Sequence, residues 1–286
     1  MMAAIQNAKR IAFQGEPGAY ANLAAKEAVP HAAAIPQPTF EDAVEAVRGG
    51  DCDLCIIPVE NSLIGRIADI HHLLPESGLH IVGEHFLPIH HQLLGLTTAT
   101  LDGITDVYSQ APALAQVRGI LRGRKFRAHN WYDTAGAAKH VAALGEASAA
   151  AIASSLAGEI YGLKVLKADV EDEHHNATRF LIMSKTDARA PNSGKVVTTL
   201  LFQVKNAPAA LYKALGAFAT NGVNITKLES YQLGGSFNAT QFYADVQGHP
   251  DNENVGRALT ELFFHTGDQV KVMGVYPAHP YREDMP

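Results

Sequence analysis

Short apolar runs alternate with helical patterns through the first two thirds of the chain. The clearest helix is predicted to begin after the capping residue Thr39, because apolar residues within Phe40–Val47 recur at the spacing of one buried helix face. The unbroken apolar run Leu54–Val59 is typical of a strand that is covered on both faces. The apolar spacing that follows predicts a helix over Leu63–Leu74. This part of the chain is therefore interpreted as helix, strand and helix.

The same alternation extends to both sides of these elements. Before them, a strand is predicted at Ile11–Phe13 and a helix at Ala19–Ala28, joined by the turn Gly15–Gly18. Further strands are predicted at Leu79–Phe86, Leu93–Thr97, Val107–Ser109, Ala149–Ala153 and Phe180–Met183, and further helices at Ala111–Leu121, Thr134–Leu144 and Ser154–Tyr161. The alternation indicates an α/β domain with a largely parallel sheet, built either as one doubly wound sheet or as two smaller lobes.

The composition changes after Met183. Residues 184–194 are polar, lack periodicity and contain Pro and Gly, so they are predicted to form a linker. The order β-α-β-β-α-β follows, with elements predicted at Val196–Val204, Pro208–Thr220, Asn224–Gln232, Phe237–Val246, Asn252–His265 and Val270–Tyr276. Pro208 is expected at the first helical position, and Gly234-Gly235 is expected to form a turn. This order is the ferredoxin-like split βαβ arrangement, which predicts a second, α+β domain.

Charge and apolar segments exclude several classes of partner. Among 286 residues, 23 Lys and Arg stand against 29 Asp and Glu, and the signs are mixed along the chain, so nucleic acid is not expected as a partner. The N-terminal residues lack the apolar core of a signal peptide, and no apolar run is long enough to span a membrane. A cytoplasmic protein without a membrane partner is therefore predicted.

The cysteines and histidines do not predict a metal site. Cys52 and Cys55 form a C-x-x-C motif, but they lie in a predicted strand, where residues three apart point to opposite faces. No second pair completes a tetrahedral zinc site. In adjacent pairs such as His90-His91, the two side chains diverge on a strand or a helix. We therefore expect no bound metal.

Three connections between a strand and a helix could bind a carboxylate. They are Gly15–Gly18, Glu60-Asn61-Ser62 and Asp133-Thr134, and the N–H groups at the start of a helix attract anions. Each also has a purely structural interpretation, because Ser62 and Thr134 are ordinary N-cap residues and a turn from strand to helix favours Gly, Asn or Ser. The glycine spacing at Gly15–Gly18 matches neither the dinucleotide fingerprint nor the phosphate-binding loop of ATPases, so neither NAD nor ATP is indicated.

Six motifs in order along the chain resemble those of prephenate dehydratases. They are Gly15-x-x-Gly18-Ala19-Tyr20, Pro58-Val59-Glu60-Asn61-Ser62-x-x-Gly65, Ser109 with Ala113-Leu114-Ala115-Gln116, Asp133-Thr134-Ala135, Ala151-Ile152-Ala153-Ser154 and Asn176-x-Thr178-Arg179-Phe180. The resemblance covers about residues 10–280. The C-terminal part resembles an ACT domain, the amino-acid-binding form of the split βαβ arrangement.

The resemblance implies a fold and decides between the two architectures. Catalytic domains of this family are similar to two-lobed periplasmic binding proteins. The expected catalytic domain is 1–187, with one lobe formed by 1–78 and 176–187 and the other by 79–175. The expected ACT regulatory domain is 195–280.

The resemblance also implies an activity and the residues that support it. The expected reaction is the decarboxylating dehydration of prephenate to phenylpyruvate in phenylalanine biosynthesis, catalysed without a cofactor. Thr178 would position and hydrogen-bond the leaving hydroxyl, since a threonine hydroxyl is too weak an acid to act as a strong proton donor. Glu60 would relay a proton or serve as a carboxylate near a helix N-terminus, and Arg179 would bind a substrate carboxylate or form a structural ion pair. The implied substrate-binding residues are Tyr20, Asn61, Ser62, Ser109, Thr134 and Phe180.

Two other functions remain compatible with these residues. One is arogenate dehydratase, which performs the same chemistry on a transaminated side chain, and the other is a non-catalytic sensor of amino or keto acids. The chain departs from the family pattern at Ala21, where serine is usual, and at Gln110, where histidine is usual. Neither position is therefore expected to hold an obligatory catalyst.

The ACT resemblance implies feedback regulation by L-phenylalanine. The implied effector-binding residues are Asn206, Pro208, Ala210, Leu211, Glu229 and Ser230. The usual Pro-Gly-Ala-Leu has Ala209 in place of glycine, and the usual Glu-Ser-Arg-Pro ends in Tyr231-Gln232. Because pairing of ACT domains would cover exposed strand edges, a homodimer or homotetramer is expected.

Overall fold

The computed structural model describes residues 3–232 and 239–283. The chain forms two compact units, each built from separated segments. The central unit consists of residues 9–67 and 85–180, and the C-terminal unit consists of the described residues of 1–8, 68–84 and 181–286. The domain and lobe boundaries predicted from the sequence stay a prediction.

The helices and strands are bounded as follows. The helices are α1 Ala3–Gln6, α2 Tyr20–Ala28, α3 Phe40–Arg48, α4 Ala68–Glu76, α5 Ala111–Ala115, α6 Arg118–Arg124, α7 Thr134–Leu144, α8 Ser155–Tyr161, α9 Ala210–Thr220 and α10 Glu253–Thr266. The strands are β1 Arg10–Gln14, β2 Ala33–Gln37, β3 Leu54–Asn61, β4 Gly65–Arg66, β5 His80–Pro88, β6 Gln92–Gly95, β7 Asp106–Ser109, β8 Arg127–Asn130, β9 Ala149–Ala153, β10 Lys164–Lys167, β11 Ala177–Ser184, β12 Val196–Gln203, β13 Ile225–Gln232, β14 Ala239–Gln247 and β15 Val270–Pro277. Within the described ranges, none of the helices is long and apolar enough to cross a membrane.

The central unit has mixed strand pairing. Strand β1 pairs in parallel with β2 and β3, and β3 pairs in antiparallel with the short β4. A second sheet has the order β10-β6-β9-β7-β8, in which β7 is parallel to β8 and β9, whereas β6 is antiparallel to β9 and β10. The α/β character predicted from the alternation is present, and antiparallel pairs accompany the parallel ones.

The predicted helix over Leu63–Leu74 is wrong in its first half. The Asn61 side-chain oxygen accepts the backbone N–H groups of Leu63 (3.0 Å) and Ile64 (3.1 Å) and so closes a tight turn after β3. The chain then returns as β4, in which Gly65 takes a positive φ of 88° and pairs with Asn61. The helix, α4, begins only at Ala68. Ser62 is therefore not a helix N-cap.

One other predicted helix is divided in two, and the capping residue of another needs correction. The predicted helix Ala111–Leu121 is divided into α5 and α6. At the start of α7 the capping side chain is that of Asp133, which accepts the Gly136 N–H, and Thr134 is the first helical residue. By contrast, Thr39 caps α3 as predicted, with its hydroxyl 3.0 Å from the Asp42 nitrogen.

The C-terminal unit contains the predicted β-α-β-β-α-β order. Strand β12 lies between β14 and β15, and β13 pairs with β14, all in antiparallel. Apolar residues of α9 and α10 pack with those of the sheet into one core. Helix α9 begins at Ala210, and its N-cap Ala209 has a positive φ of 61°, so Pro208 is not at the first helical position. The predicted Gly234-Gly235 turn and the start of the next strand at Phe237 lie outside the described residues.

Arg282 joins two buried carboxylates of the C-terminal unit. Its Nε lies 2.6 Å from Glu84 Oε1, and its Nη2 lies 2.8 Å from Glu84 Oε2 and 3.4 Å from Asp245 Oδ2. The exposed fraction of both carboxylate side chains is 0%. The Thr199 hydroxyl also donates to Asp245 Oδ1 at 2.6 Å. Because a charge that is removed from water is stable only when it is paired, Arg282 holds these two carboxylates in the fold.

Candidate active site

Asn61 and Thr178 meet where β3 ends and β11 begins. Asn61 Nδ2 donates to Thr178 Oγ1 (3.0 Å) and to Asn176 Oδ1 (2.7 Å). The orientation of the Asn61 amide follows from its oxygen, because only an oxygen can accept the backbone N–H groups of Leu63 and Ile64. Thr178 Oγ1 is therefore an acceptor towards Asn61, and its own proton can be donated to a ligand.

Ser62 forms hydrogen bonds with the backbone that precedes Thr178. Its hydroxyl donates to the carbonyl of His175 (3.0 Å) and accepts the N–H of Ala177 (2.9 Å), and its backbone N–H donates to the Ala177 carbonyl (2.9 Å). Ser62 thus holds the segment that leads into Thr178. Because its hydroxyl proton is used within the protein, a direct donor role towards substrate is not supported by this geometry.

Glu60 and Arg179 form an ion pair next to this site. Arg179 Nη1 lies 2.9 Å from Glu60 Oε1, and the exposed side-chain fractions are 2% for Arg179 and 30% for Glu60. The Arg179 guanidinium carbon also lies 5.9 Å from the centre of the Phe86 ring, within the range of a cation–π contact. Of the two roles predicted for Arg179, this geometry favours the structural ion pair.

A hydrogen-bond network of polar side chains extends from Asn176 through Gln116 and His91 to Tyr20. Asn176 Nδ2 lies 3.2 Å from Gln116 Oε1, which is also 2.8 Å from His91 Nε2. His91 Nδ1 is 2.7 Å from the Tyr20 hydroxyl oxygen, which also lies 3.0 Å from the His90 carbonyl oxygen. Burial lowers the pKa of the His91 ring. Burial, and secondarily the charge of Glu171, raises the pKa of Tyr20 well above its usual value.

Sequence reasoning missed three members of this hydrogen-bond network as site residues. Gln116 and Asn176 lie within the matched motifs but had no predicted role, and His91 was considered only as a possible metal ligand. For Gln116 and Asn176 the available signal was their place in motif segments, whereas His91 lies outside them. Their meeting depends on contacts between residues that are 25 to 117 positions apart in sequence, which no local pattern encodes.

The other predicted substrate-binding residues are more deeply buried. Ser109 is fully buried, and its hydroxyl donates to the Ile152 carbonyl at 2.7 Å. Thr134 and Phe180 are buried, with exposed fractions of 3% and 2%. Thr134 lies in the first turn of α7, whose N-terminal N–H groups are the physical basis for an anion site.

The surroundings of α7 are acidic, which opposes that anion site. Glu16, in the Gly15–Gly18 turn, pairs with Lys139 at 3.0 Å. Burial is the main cause that raises the pKa of Asp133, and the charge of Glu16 adds to it. Two carboxyl groups therefore compete with an incoming carboxylate at a cavity lined in part by Glu16, Tyr132 and Asp133.

Gly18 makes a close approach that holds the Gly15–Gly18 turn against α8. Its φ is +93°, and a Cβ at this position would lie 2.7 Å from the Ala157 Cα. The Gly18 carbonyl accepts the Ser154 hydroxyl at 2.6 Å, and its N–H donates to the Asn22 side chain at 3.0 Å. No side chain fits here without a backbone shift.

Gly18→Ala is therefore expected to lower the free energy of unfolding by at least about 2 kcal/mol, the sum of backbone strain and overpacking. Gly145→Ala is the matched control, since Gly145 also has a positive φ (70°) but a Cβ there would have open space. Urea unfolding of both variants checks this. Equal losses of stability in the two would mean that the contact with Ala157 contributes nothing.

His90, Asp169 and Glu171 are the described residues whose ligand atoms, all within 4.8 Å of one another, could hold a metal ion. His90 Nδ1 already lies 3.0 Å from Glu171 Oε1, and Glu171 Oε2 accepts the His91 N–H at 2.8 Å. Asp169 Oδ1 accepts from the Gln92 amide at 3.1 Å. These contacts are those of a histidine–carboxylate cluster that supports the segment just before β6, in which His91 lies.

The predicted effector-binding residues lie around the first helix and the following strand of the C-terminal unit. Asn206 and Pro208 precede α9, Ala210 and Leu211 open it, and Glu229 and Ser230 lie in β13. Leu211 packs partly into the core. Lys227 Nζ lies 3.2 Å from Glu229 Oε1, so a cation accompanies Glu229 although Tyr231-Gln232 replaces the usual Arg-Pro.

The chain is similar to several characterised proteins. A protein of Komagataeibacter europaeus named "bifunctional N-acyl-homoserine lactone acylase/prephenate dehydratase" is 50% identical over 95% of this chain and 97% of its own length. Arogenate dehydratase 5 of Arabidopsis thaliana, a chloroplastic protein, is 36% identical over 94% of this chain and 67% of its own length.

The likeness extends to a solved structure and to a family model. The prephenate dehydratase of Arthrobacter aurescens, solved in complex with L-Phe, superposes with a TM-score of 0.87 at 26% identity, covering 97% of this chain and 92% of that one. The family model described as "Prephenate dehydratase" matches residues 11–188, which contain all the polar residues joined to Thr178 above. The chain therefore belongs to the prephenate dehydratase family.

Proposed function

We propose that this chain is a prephenate dehydratase, a carbon–oxygen lyase that converts prephenate to phenylpyruvate without a cofactor. The observation that carries the proposal is the Thr178 hydroxyl, whose oxygen accepts from Asn61 at 3.0 Å and whose proton is thereby left for a ligand. Family membership and the reaction named for similar proteins support the choice of substrate.

The chemistry requires a hydrogen-bond donor at the departing hydroxyl. In prephenate, loss of the ring carboxylate as CO2 sends an electron pair through the ring and breaks the C–O bond on the opposite side. The ring becomes aromatic, and hydroxide leaves and takes a proton to form water. A donor held beside that oxygen stabilises the charge that develops on it, and Thr178 is positioned for this role by Asn61.

The ion pair between Glu60 and Arg179 bears on the proton source. Within the pair, Glu60 acts as an acceptor at 2.9 Å from Arg179 Nη1, which argues against Glu60 as the proton donor. We propose that the pair supports the start of β11 and that the final proton reaches the leaving hydroxide from solvent. The predicted substrate-binding set of Tyr20, Asn61, Ser62, Ser109, Thr134 and Phe180 stays a prediction.

One assay tests the function and its closest alternative. The purified chain is offered prephenate or arogenate, and phenylpyruvate and phenylalanine are measured. We expect phenylpyruvate from prephenate. A chain that forms phenylalanine from arogenate and leaves prephenate unchanged would be an arogenate dehydratase, and turnover of neither would favour a binding protein without catalysis.

A second activity is proposed because a protein that is 50% identical is named as an N-acyl-homoserine lactone acylase as well as a prephenate dehydratase. Such an enzyme would hydrolyse the amide bond and release a fatty acid and homoserine lactone. Incubation of the chain with an N-acyl-homoserine lactone, followed by detection of the released amine, tests this. Absence of the amine would restrict the chain to the dehydratase reaction.

We further propose that the C-terminal part is a ferredoxin-like ACT domain that binds L-phenylalanine and lowers activity. The sheet order β13-β14-β12-β15 with α9 and α10 supports this, as does the L-Phe complex of the similar Arthrobacter enzyme. Asn206 lies just before α9, whose first N–H groups would face the carboxylate of an amino acid.

L-phenylalanine is expected to bind the full-length chain and to inhibit it. Asn206→Ala should weaken the binding by about tenfold, the scale of one lost hydrogen bond to a charged group. Thr178→Ala should leave the affinity for phenylalanine unchanged, because the effector site is separate from the reacting hydroxyl. Isothermal calorimetry on the three proteins measures this, and loss of phenylalanine binding in the Thr178 variant would place the amino acid at the active site instead.

Three further features stay predictions. They are the periplasmic-binding-protein-like division of residues 1–187 into two lobes, the cytoplasmic location, and the homodimer or homotetramer. Strand β13 supports the last of these, since among the described residues it pairs with β14 at the end of the sheet and its other edge can pair with a second copy.

A further inference from the structure

The hydrogen bonds around Thr178 have a direction that can be followed residue by residue. Asn61 presents its amide nitrogen to Asn176 Oδ1, since its oxygen is occupied by the backbone of the turn. Asn176 therefore presents its own nitrogen to Gln116, 3.2 Å away. Gln116 must present its oxygen in return, because two amide nitrogens facing each other would both be donors.

The same oxygen determines the proton on His91. Gln116 Oε1 lies 2.8 Å from His91 Nε2, and an oxygen that can only accept requires Nε2 to carry hydrogen. The ring is buried, with an exposed fraction of 2%, which favours its neutral form. In a neutral ring with hydrogen on Nε2, Nδ1 is an acceptor. The single Tyr20 hydroxyl proton is then donated to Nδ1 at 2.7 Å, the shorter of its two contacts, and not to the His90 carbonyl at 3.0 Å.

We infer that Tyr20 and His91 are positioning residues of the active site, which hold the Gln116 amide in the orientation that Asn176, Asn61 and Thr178 require. The kinetic consequence rests on the proposed dehydratase function, whereas the state of the His91 ring does not. Tyr20, expected from the family resemblance to bind substrate, acts here through His91. The residue of this network that contacts the substrate is Thr178, at the opposite end from Tyr20.

The charged and titratable groups that face His91 explain why the Tyr20–His91 contact is stable. Glu171 Oε2 accepts the backbone N–H of His91 at 2.8 Å, and Glu171 Oε1 lies 3.0 Å from His90 Nδ1. The carboxylate thus fixes the backbone and leaves the ring of His91 to Tyr20 and Gln116. Without a donor at Nε2, the Gln116 amide would lose the partner that holds its oxygen towards Asn176.

Two variants at one position separate positioning from packing. His91→Gln places an amide N–H2 close to the position of Nε2 and should retain turnover within about threefold of the original chain. His91→Leu fills a similar volume without a donor and should lower kcat by at least about tenfold with little change in KM, the scale of a misaligned catalytic hydrogen bond. Tyr20→Phe should lower kcat in the same direction. Equal activity of the Leu and Gln variants, both folded by circular dichroism, would overturn the inference.

The position of the hydrogen on the His91 ring can be measured in the unaltered protein. Nitrogen-15 NMR of histidine-labelled protein, with His91 assigned from the His91→Gln spectrum, distinguishes protonated from unprotonated ring nitrogens at neutral pH. We expect hydrogen on Nε2 and none on Nδ1. Hydrogen on Nδ1 would overturn the inference whatever the kinetics. If the ring is as expected but prephenate is not turned over, the proposed function fails and the assignment of the network stands.

Discussion

Replacing Thr178 by alanine is expected to lower the turnover of prephenate by at least about 100-fold, the usual loss for a donor to a developing oxyanion. The hydroxyl accepts from Asn61 and has its proton available for the departing oxygen, and a methyl group can do neither. The fold should persist, because Asn61 Nδ2 keeps its second partner, Asn176 Oδ1. Steady-state kinetics with the melting temperature as a companion measurement checks both points.

Thr178→Ser is the matched control for this variant. Serine keeps the hydroxyl and loses a methyl group, so turnover should stay within about tenfold of the original chain. If alanine and serine give the same turnover, the hydroxyl has no part in the reaction. If alanine raises KM alone, Thr178 binds substrate equally in the ground state and the transition state.

Arg282→Met is expected to lower the free energy of unfolding by about 3 kcal/mol or more, because it removes a cation that donates to two buried carboxylates. Glu84 and Asp245 both have 0% of their side chains exposed, and Arg282 donates to each. Denaturant unfolding followed by circular dichroism measures the change.

Arg257→Met is the control for the loss of an arginine as such. Arg257 pairs with Glu253 along α10 at 2.9 Å, with 62% and 84% of the two side chains exposed. Exposed pairs of this kind contribute about 0–1 kcal/mol. If both variants lose the same stability, burial of the carboxylates does not decide the strength of the Arg282 contacts.

Elements with strong local signals were predicted within a residue or two. Helix α7 and strand β9 have their predicted bounds, Thr134–Leu144 and Ala149–Ala153. Apolar spacing failed at 63–67, where Leu63 and Ile64 are 37% and 58% exposed. Their spacing fits a helix, but the side-chain oxygen of Asn61 accepts their N–H groups, and the chain turns back as β4. A single side chain thus outweighed a periodic pattern.

Site residues that lie within the motifs were predictable from the sequence. Asn61 and Thr178 were both expected there, and the structure brings them within 3.0 Å of each other. The use of each hydroxyl was not predictable, because the Ser62 and Ser109 protons are donated to backbone carbonyls that tertiary folding brings near. His91 lacked any local signal, since its partners lie on other elements.

The contacts of Arg282 have a consequence for the order in which the chain matures on the ribosome. The central unit ends at Phe180, so its last residue is synthesised 282 − 180 = 102 residues before Arg282. At roughly 5–20 residues per second this is a delay of about 5–20 s. Glu84 emerges even earlier and waits through that interval for Arg282. The residues around Thr178 are thus synthesised while the C-terminal unit still lacks the Arg282 side chain. A nascent chain released before residue 282 would lack the contacts of Arg282 with Glu84 and Asp245 permanently.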